Sequence, residues 1–176
     1  MSETSVPTEH PLSDEHAGGV DLRGSVILLV DDNVQNLELM QAYLESLPCE
    51  VRTVTDGVAA VQSIELSPPD LILLDVMMPR MSGFEVCQKV KANPKTRDVP
   101  VIIVTALHEV GDVERAVEAG TDDFLTKPVN KLELLTRVRS LLRVRLLKKQ
   151  LDQMMRQVGR SGLDAIDRID AGEKLE

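Results

Sequence analysis

Acidic side chains stand at the ends of two apolar segments of this 176-residue chain. Asp31 and Asp32 come directly after the apolar run Val26–Val30, and Asp75 ends the run LILLD. Carboxylates that lie close together repel one another and raise each other's pKa, so a cluster of them requires a compensating charge. The simplest compensation is a hard divalent cation, and Mg²⁺ suits a site with few carboxylates, several waters and a phosphate.

Two further polar residues end apolar segments later in the chain, Thr105 in VIIVTA and Lys127 in DDFLTKP. A lysine and a hydroxyl are poor Mg²⁺ ligands beside three acids, but both suit a tetrahedral anion. Together with a carboxylate nucleophile and a metal ion, they are the parts of a phosphoryl-transfer site. A simpler interpretation stays open for the first acids, because a strand-end acid is often a helix N-cap, and Asp32 or Asn33 could serve as one.

The alternation of apolar segments with helical patterns predicts the elements that position these residues. The predicted strands cover residues 25–30, 50–55, 71–75, 99–106 and 122–126, and a helical pattern follows each of them. Such alternation with short connections is typical of a doubly wound α/β domain with a five-stranded parallel sheet. Because ligands in such folds bind at the carboxyl ends of the strands, we expect the five polar side chains to converge on one rim.

Four stretches, LLVDDN, LILLDVMMPRMSGFEV, VIIVTA and DDFLTKPV, resemble the receiver domain of two-component response regulators. The spacings agree as well, since Asp75 follows Asp32 by 43 residues, Thr105 follows Asp75 by 30, and Lys127 follows Thr105 by 22. The likeness covers about residues 25–145. It implies the flavodoxin-like receiver fold, including the strand order of that fold.

The resemblance implies the roles of the acidic residues. Asp75 would be the phospho-acceptor, which takes a phosphoryl group from a histidine kinase or a histidine phosphotransfer protein. Asp31 and Asp32 would bind Mg²⁺ together with Asp75 and the backbone carbonyl of Met77.

The same resemblance implies how the phosphoryl group would be sensed. Lys127 would pair with one phosphoryl oxygen, aimed by a cis peptide bond to Pro128. Thr105 would shift to hydrogen-bond another oxygen, and Phe124 would rotate into the space that Thr105 vacates. Contacts that differ between the two states are what allows a phosphoryl group to shift a conformational equilibrium.

Charge is spread unevenly along the chain, whose formal net charge is -9. Residues 1–130 hold 9 basic and 22 acidic residues, whereas residues 131–160 hold 9 basic and 2 acidic ones. An acidic body argues against nucleic-acid binding by that body. The N-terminus lacks a signal-peptide pattern, no apolar run approaches the roughly 20 residues of a membrane helix, and Cys49 and Cys87 are isolated. We therefore expect a cytoplasmic protein without membrane insertion.

A basic helical pattern without Gly or Pro runs from residue 130 to residue 158. Apolar residues recur in it at spacings of 3, 4, 3 and 4, at Val144, Leu147, Leu151, Met154 and Val158. This is a heptad pattern of about two repeats, fewer than a firm coiled-coil prediction needs. Three interpretations stay open: an overlong amphipathic helix, a helix that pairs with a second copy or a partner, and a basic surface for nucleic acid or anionic membrane. We favour the paired helix.

These patterns predict a disordered tail (1–23), a receiver domain (24–143), a helical extension that could form a coiled-coil dimer stalk (144–160) and a polar tail (161–176). The last segment is too short for a DNA-binding or cyclase output domain. We therefore expect a phospho-accepting regulatory domain that signals to a downstream effector by protein contact, and that catalyses only its own phosphorylation and dephosphorylation.

Other functions compete with this one. A phosphorelay intermediate, a phosphate sink and the regulatory part of a larger response regulator would share the same site. A phosphatase acting on a separate substrate is a fourth possibility, but the sequence contains no DxDxT run, no Gly-rich phosphate loop and no GxSxG elbow.

Overall fold

A computed structural model describes the backbone of residues 20–106 and 110–170, and the side chains of residues 20–106 and 114–158. Within these ranges five strands alternate with five helices. The strands are β1 (Val26–Val30), β2 (Glu50–Val54), β3 (Leu71–Asp75), β4 (Val101–Thr105) and β5 (Asp123–Thr126). The helices are α1 (Val34–Leu44), α2 (Gly57–Leu66), α3 (Gly83–Ala92), α4 (Val110–Glu118) and α5 (Lys131–Asp170).

All five strands are parallel and lie in the order β2-β1-β3-β4-β5. Parallel neighbours need crossover connections, and here helices supply them and cover both faces of the sheet. β3 and β4 are buried at every residue, as is β1 after its first residue, whereas the edge strand β2 has no buried residue. The predicted doubly wound α/β fold with a five-stranded parallel sheet is confirmed.

The sheet divides the core into two layers, because alternate residues of each strand point to opposite faces. On one face Leu28, Leu74 and Ile103 pack with residues of α2, α3 and α4. On the other face Leu29 and Leu73 pack with residues of α1 and α5. Each fully buried aliphatic side chain contributes about 1.5–3 kcal/mol relative to an exposed one, so these two layers provide most of the stabilisation of the domain.

Capping side chains set where α1 and α3 begin. Asn33 caps α1, since its side chain accepts a hydrogen bond from the Gln35 backbone N–H at 2.9 Å. Ser82 and Glu85 form a capping box at the start of α3. Such oxygens satisfy N–H groups that the first helical turn leaves without partners. The N-cap of α1 is therefore Asn33 and not Asp32.

Helix α5 is longer than predicted. It has 40 residues and ends at Asp170, twelve residues past the expected end at 158. Gly159 and Gly162 lie inside it, because an isolated glycine costs only about 1 kcal/mol relative to alanine and does not by itself end a helix. The predicted polar tail is thus helical as far as residue 170, while 171–176 and most of the predicted tail 1–23 lie outside the described residues. The predicted boundary at 143/144 falls within this one continuous helix.

A charged contact holds α5 at the edge of the sheet where the strands begin. Asp70, which directly precedes β3 and is 6% exposed, accepts a hydrogen bond from the Val26 backbone N–H at 3.0 Å. The same carboxylate pairs with Lys149 Nζ. Asp70 therefore ties the starts of β1 and β3 to the middle of α5. In the described part of the chain, no helix is both long enough and apolar enough to cross a membrane.

We expect Lys149→Ala to lower the free energy of unfolding by about 1–2 kcal/mol, because Asp70 would stay buried without its cationic partner. Asp70→Ala should cost more, about 2–3 kcal/mol, since the Val26 N–H also loses its acceptor. Lys148→Ala removes the neighbouring exposed lysine and serves as the control, with an expected change below about 0.5 kcal/mol. Urea unfolding followed by circular dichroism measures all three, and equal losses for the two lysine variants would contradict the role of this ion pair.

Candidate metal and anion site

The ends of two neighbouring strands bring three aspartates together. Asp31 and Asp32 directly follow β1, and Asp75 is the last residue of β3. β1 and β3 are paired in register up to Val30 and Leu74, so the next residue of each strand, Asp31 or Asp75, lies at the same rim of the sheet. One carboxylate oxygen of each aspartate lies within 4.8 Å of those of the other two. The rim therefore holds a compact set of three acidic oxygen donors.

Asp31 is fully buried, and donors from three places hold its carboxylate. Oδ1 accepts from the Asn33 backbone N–H at 2.9 Å, and Asn36 Nδ2 donates to the two oxygens at 3.2 and 3.0 Å. Lys127 Nζ donates to Oδ2 at 2.9 Å. A buried carboxylate is tolerated only when it is hydrogen-bonded and paired in this way.

Asn36 is a site residue that the reasoning from sequence missed. It lies in the first turn of α1, three residues after the cap Asn33. Helical side chains lean toward the N-terminus of their helix, which directs Asn36 back to the preceding strand end. The second asparagine in the stretch DDNVQN was the available signal.

Lys127 joins two of the aspartates. Its Nζ donates to Asp75 Oδ1 at 2.6 Å and to Asp31 Oδ2 at 2.9 Å. The Lys127-Pro128 peptide bond is cis, as the resemblance implied. The Lys127 backbone N–H donates to the carbonyl oxygen of Thr105 at 2.8 Å, which attaches the lysine to the end of β4.

The electrostatics of the rim follow from this arrangement. Burial raises the pKa of Asp75, Lys127 opposes that shift, and the charges of Asp31 and Asp32 add to it. Burial works against a charge on Lys127, but its hydrogen bonds to Asp75 and Asp31 outweigh that effect and hold the pKa of the lysine above its usual value. The lysine therefore stays an ammonium, and the aspartates are left with more negative charge than it can balance.

Thr105 and Phe124 lie on β4 and β5, the two strands that follow β3 across the sheet. Thr105 ends β4 and is 7% exposed, and its neighbour Val104 is in register with Asp75 on β3. Phe124 precedes by two residues the strand partner of Thr105, so the two side chains point to the same face of the sheet. The ring of Phe124 is 42% exposed and lies outside the core. Its inward rotation, coupled to a shift of Thr105, stays a prediction.

The loop after Asp75 is packed closely against the end of its strand. The Gly83 N–H donates to the carbonyl oxygen of Val76 at 3.0 Å. A Cβ on Gly83 would lie 2.2 Å from the carbonyl oxygen of Asp75, so only glycine permits this approach. Met77 lies in this loop and is 65% exposed, and the metal-binding role of its backbone carbonyl stays a prediction.

The donor set suits a hard divalent cation. Three carboxylates against one ammonium leave the rim with a formal charge of -2, which a divalent cation would balance. Mg²⁺ prefers oxygen ligands and keeps several waters, and the exposed Asp32 leaves one side of the cluster open to solvent. Asp31, Asp32 and Asp75 could therefore hold Mg²⁺.

Mg²⁺ should stabilise the folded chain through this cluster, because a ligand that binds only the folded state raises stability by mass action. We expect millimolar MgCl₂ to raise the melting temperature of the wild type by about 2–4 °C. Asp32→Asn should lose most of that rise and, without Mg²⁺, be at least as stable as the wild type, because one of three repelling charges is gone.

The control for this measurement is Asp56→Asn, which changes a nearby acid that caps α2. Asparagine is as good an N-cap as aspartate, so this variant should keep the wild-type response to Mg²⁺. An undiminished Mg²⁺ response in Asp32→Asn would exclude this residue from the metal site.

Most of this chain is similar in sequence to known proteins. Residues 27–139 match the response regulator receiver domain family. Response regulator PleD of Caulobacter vibrioides is 45% identical over 139 residues, which make up 79% of this chain and 31% of PleD. The DNA-binding dual master transcriptional regulator RpaA of Synechocystis sp. is 39% identical over 117 residues, 66% of this chain and 48% of RpaA. The chain thus spans less than half the length of these two relatives.

A solved structure agrees with the sequence relatives. The receiver domain of the sensor histidine kinase PA1611 from Pseudomonas aeruginosa matches with a TM-score of 0.63 and 37% identity, covering 68% of this chain and 98% of that domain. That domain has a magnesium ion coordinated in its active site cleft. Phosphorylation and Mg²⁺ binding at an acidic site are general features of receiver domains in two-component systems. The chain belongs to the response regulator receiver domain family.

Proposed function

We propose that Asp75 accepts a phosphoryl group from a histidine kinase or a histidine phosphotransfer protein in a Mg²⁺-dependent reaction. The supporting observation is the position of this carboxylate, 2.6 Å from Lys127 Nζ and beside the carboxylates of Asp31 and Asp32. Asp75 ends β3, which lies between β1 and β4. It therefore stands between the acid pair on one side and Thr105 on the other, where a phosphoryl group would meet metal, ammonium and hydroxyl together.

The reaction is a substitution at phosphorus. A carboxylate oxygen of Asp75 forms the new P–O bond while the P–N bond to the donor histidine breaks, and the electron pair of that bond returns to the imidazole ring. Bound Mg²⁺ supplies charge neutralisation at the phosphoryl oxygens. Lys127 meets one phosphoryl oxygen and is held in place by Asp31, so its positive charge is already oriented before transfer.

The chain's output in this proposal is a change of protein contacts. A phosphoryl group adds charge and acceptor oxygens at the rim. Thr105 moves to hydrogen-bond it, and the exposed ring of Phe124 turns inward, which alters the surface formed by α4, β5 and the start of α5. The chain acts on no separate substrate and catalyses its own phosphorylation and dephosphorylation. The partners of the chain are the phosphodonor, an effector protein and a second copy bound through α5. The chain acts in the cytoplasm, where free thiols such as those of Cys49 and Cys87 persist.

One observation favours a second candidate, the regulatory part of a longer response regulator. The family match ends at residue 139, yet α5 continues to Asp170. PleD and RpaA extend well beyond the part that this chain matches. A helix that leaves the domain in this way would connect it to a further segment, and the chemistry at Asp75 would be the same. A phosphorelay intermediate or a phosphate sink would also use this site unchanged.

With Mg²⁺ and acetyl phosphate, the wild type should gain one hydroxylamine-labile phosphoryl group, measured by intact mass. Asp75→Asn should gain none, because an amide is not a nucleophile for phosphorus under these conditions. Asp56→Asn, which keeps its helix cap and leaves the rim intact, should be labelled like the wild type, and chelation of Mg²⁺ should abolish labelling of both. Labelling of Asp75→Asn at the wild-type level would show that the nucleophile is another residue.

The proposed switch can be followed by a reporter, since the chain contains no tryptophan. Phosphorylation of Phe124→Trp should shift its fluorescence emission as the ring leaves solvent. Adding Thr105→Val should reduce that shift while labelling of Asp75 persists, because the hydroxyl that follows the phosphoryl group is missing. Adding Asp75→Asn provides the control without phosphorylation. An emission shift of the same size with and without Thr105→Val would refute the coupling of these two residues.

A further inference from the structure

The carboxylate of Asp31 has no exposed surface, and three residues donate to its two oxygens. The Asn33 backbone N–H reaches Oδ1 and Lys127 Nζ reaches Oδ2, each at 2.9 Å. Asn36 Nδ2 lies 3.2 Å from Oδ1 and 3.0 Å from Oδ2, so of these three donors only the amide contacts both oxygens. A donor that contacts both oxygens opposes rotation of the carboxylate more than a donor to one oxygen does.

The backbone of Asn36 is fixed by helix α1. Asn36 lies in the first turn of that helix, where its N–H donates to the Asn33 carbonyl oxygen at 3.1 Å. The next residue, Leu37, is buried in the hydrophobic layer between α1 and the sheet. A packed helix therefore holds the amide in place beside the end of β1, and the orientation of Asp31 does not depend on the loop after β1 alone.

The amide of Asn36 holds Asp31 without adding charge. Three carboxylates and the ammonium of Lys127 give the rim a formal charge of -2. A lysine or arginine at position 36 could also donate to Asp31, but its charge would halve this excess. A neutral donor keeps the full excess that a divalent cation would balance.

We propose that Asn36 is a positioning residue for the metal site, and that its amide raises the affinity of the rim for Mg²⁺ by fixing the carboxylate of Asp31. Hydrogen bonds from outer residues orient metal ligands before the ion binds, and loss of such a partner typically weakens metal binding by about 10–100-fold. Asn36 acts through Asp31 and is not itself a metal ligand. This role rests on the metal binding in the proposed function, which it deepens.

Titration of the full chain with Mn²⁺ tests this role. Mn²⁺ takes oxygen ligands of the same kind as Mg²⁺, and its electron paramagnetic resonance signal reports the free ion, so affinity is measured without phosphorylation. Asn36→Ala should raise the dissociation constant for Mn²⁺ at least about tenfold. Asn36→Leu keeps a side chain of similar shape but has no donor, and it should weaken binding to a similar extent. Wild-type affinity in either folded variant would overturn the proposal.

Two controls separate positioning of Asp31 from general damage to α1. Gln35→Ala removes an exposed amide from the neighbouring position, and its Mn²⁺ affinity should stay within about twofold of the wild type. Leu44→Ala creates a cavity at the last residue of the same helix, and it should lower the melting temperature without metal while keeping the wild-type affinity. Circular dichroism measures the melting temperatures. A loss of affinity in Leu44→Ala equal to that in Asn36→Ala would overturn the proposal.

The rate of labelling by acetyl phosphate supplies a second measurement. At Mg²⁺ concentrations below the dissociation constant, Asn36→Ala should be labelled at least about fivefold more slowly than the wild type, because less of it carries the ion. At saturating Mg²⁺ the rate should return close to that of the wild type, since Asn36 donates to Asp31 and not to the nucleophile Asp75. A rate that stays equally low at saturating Mg²⁺ would overturn a role in metal affinity.

The metal titration and the labelling distinguish this role from the proposed phosphorylation. If another residue than Asp75 is phosphorylated, Asn36→Ala should still show its loss of Mn²⁺ affinity, because the titration measures metal binding alone. If Asp75 is phosphorylated but Asn36→Ala binds Mn²⁺ like the wild type, only the role of Asn36 is overturned. A wild type that binds no Mn²⁺ would overturn that role together with the metal site.

Discussion

The ammonium of Lys127 between Asp31 and Asp75 is the interaction on which the rest of the site depends. Both carboxylates are buried, and charges removed from water are stable only when they are paired and hydrogen-bonded. The backbone of Lys127 is held at the end of β4, because its N–H donates to the carbonyl oxygen of Thr105. One positive charge cannot balance three acids, and a divalent cation would balance the negative charge that remains.

The sheet explains why these charges can be kept together. β1, β3 and β4 are buried along almost their whole length. Their polar residues lie at or directly after the strand ends, so the packed sheet fixes where these side chains meet. Repulsion among the acids is therefore opposed by the packing of two hydrophobic layers. The packing of the sheet thus holds three acids at one rim, where their charge exceeds that of Lys127.

Helix α5 connects this rim with the opposite edge of the sheet. It begins four residues after Lys127, packs along one face of the sheet, and is held at the far edge by Lys149 and Asp70. Beyond that contact it continues as a helix that is exposed on all sides as far as residue 158. The family match ends at residue 139, within α5, so the exposed apolar residues from Val144 to Val158 lie beyond the matched part of the chain.

The sequence by itself determined the order of strands and helices, the parallel sheet and the set of strand-end residues, because apolar runs and turn residues act locally. It was misleading at the end of α5, where Gly159 and Gly162 lie inside the helix, since a glycine weakens a helix without ending it. Only the tertiary structure decided that Asn36 and Lys127 hold Asp31 and that Asp70 pairs with Lys149. Asp31 and Lys127 are 96 residues apart and Asp70 and Lys149 are 79 apart, and such pairs meet only when packing brings distant segments within hydrogen-bond distance.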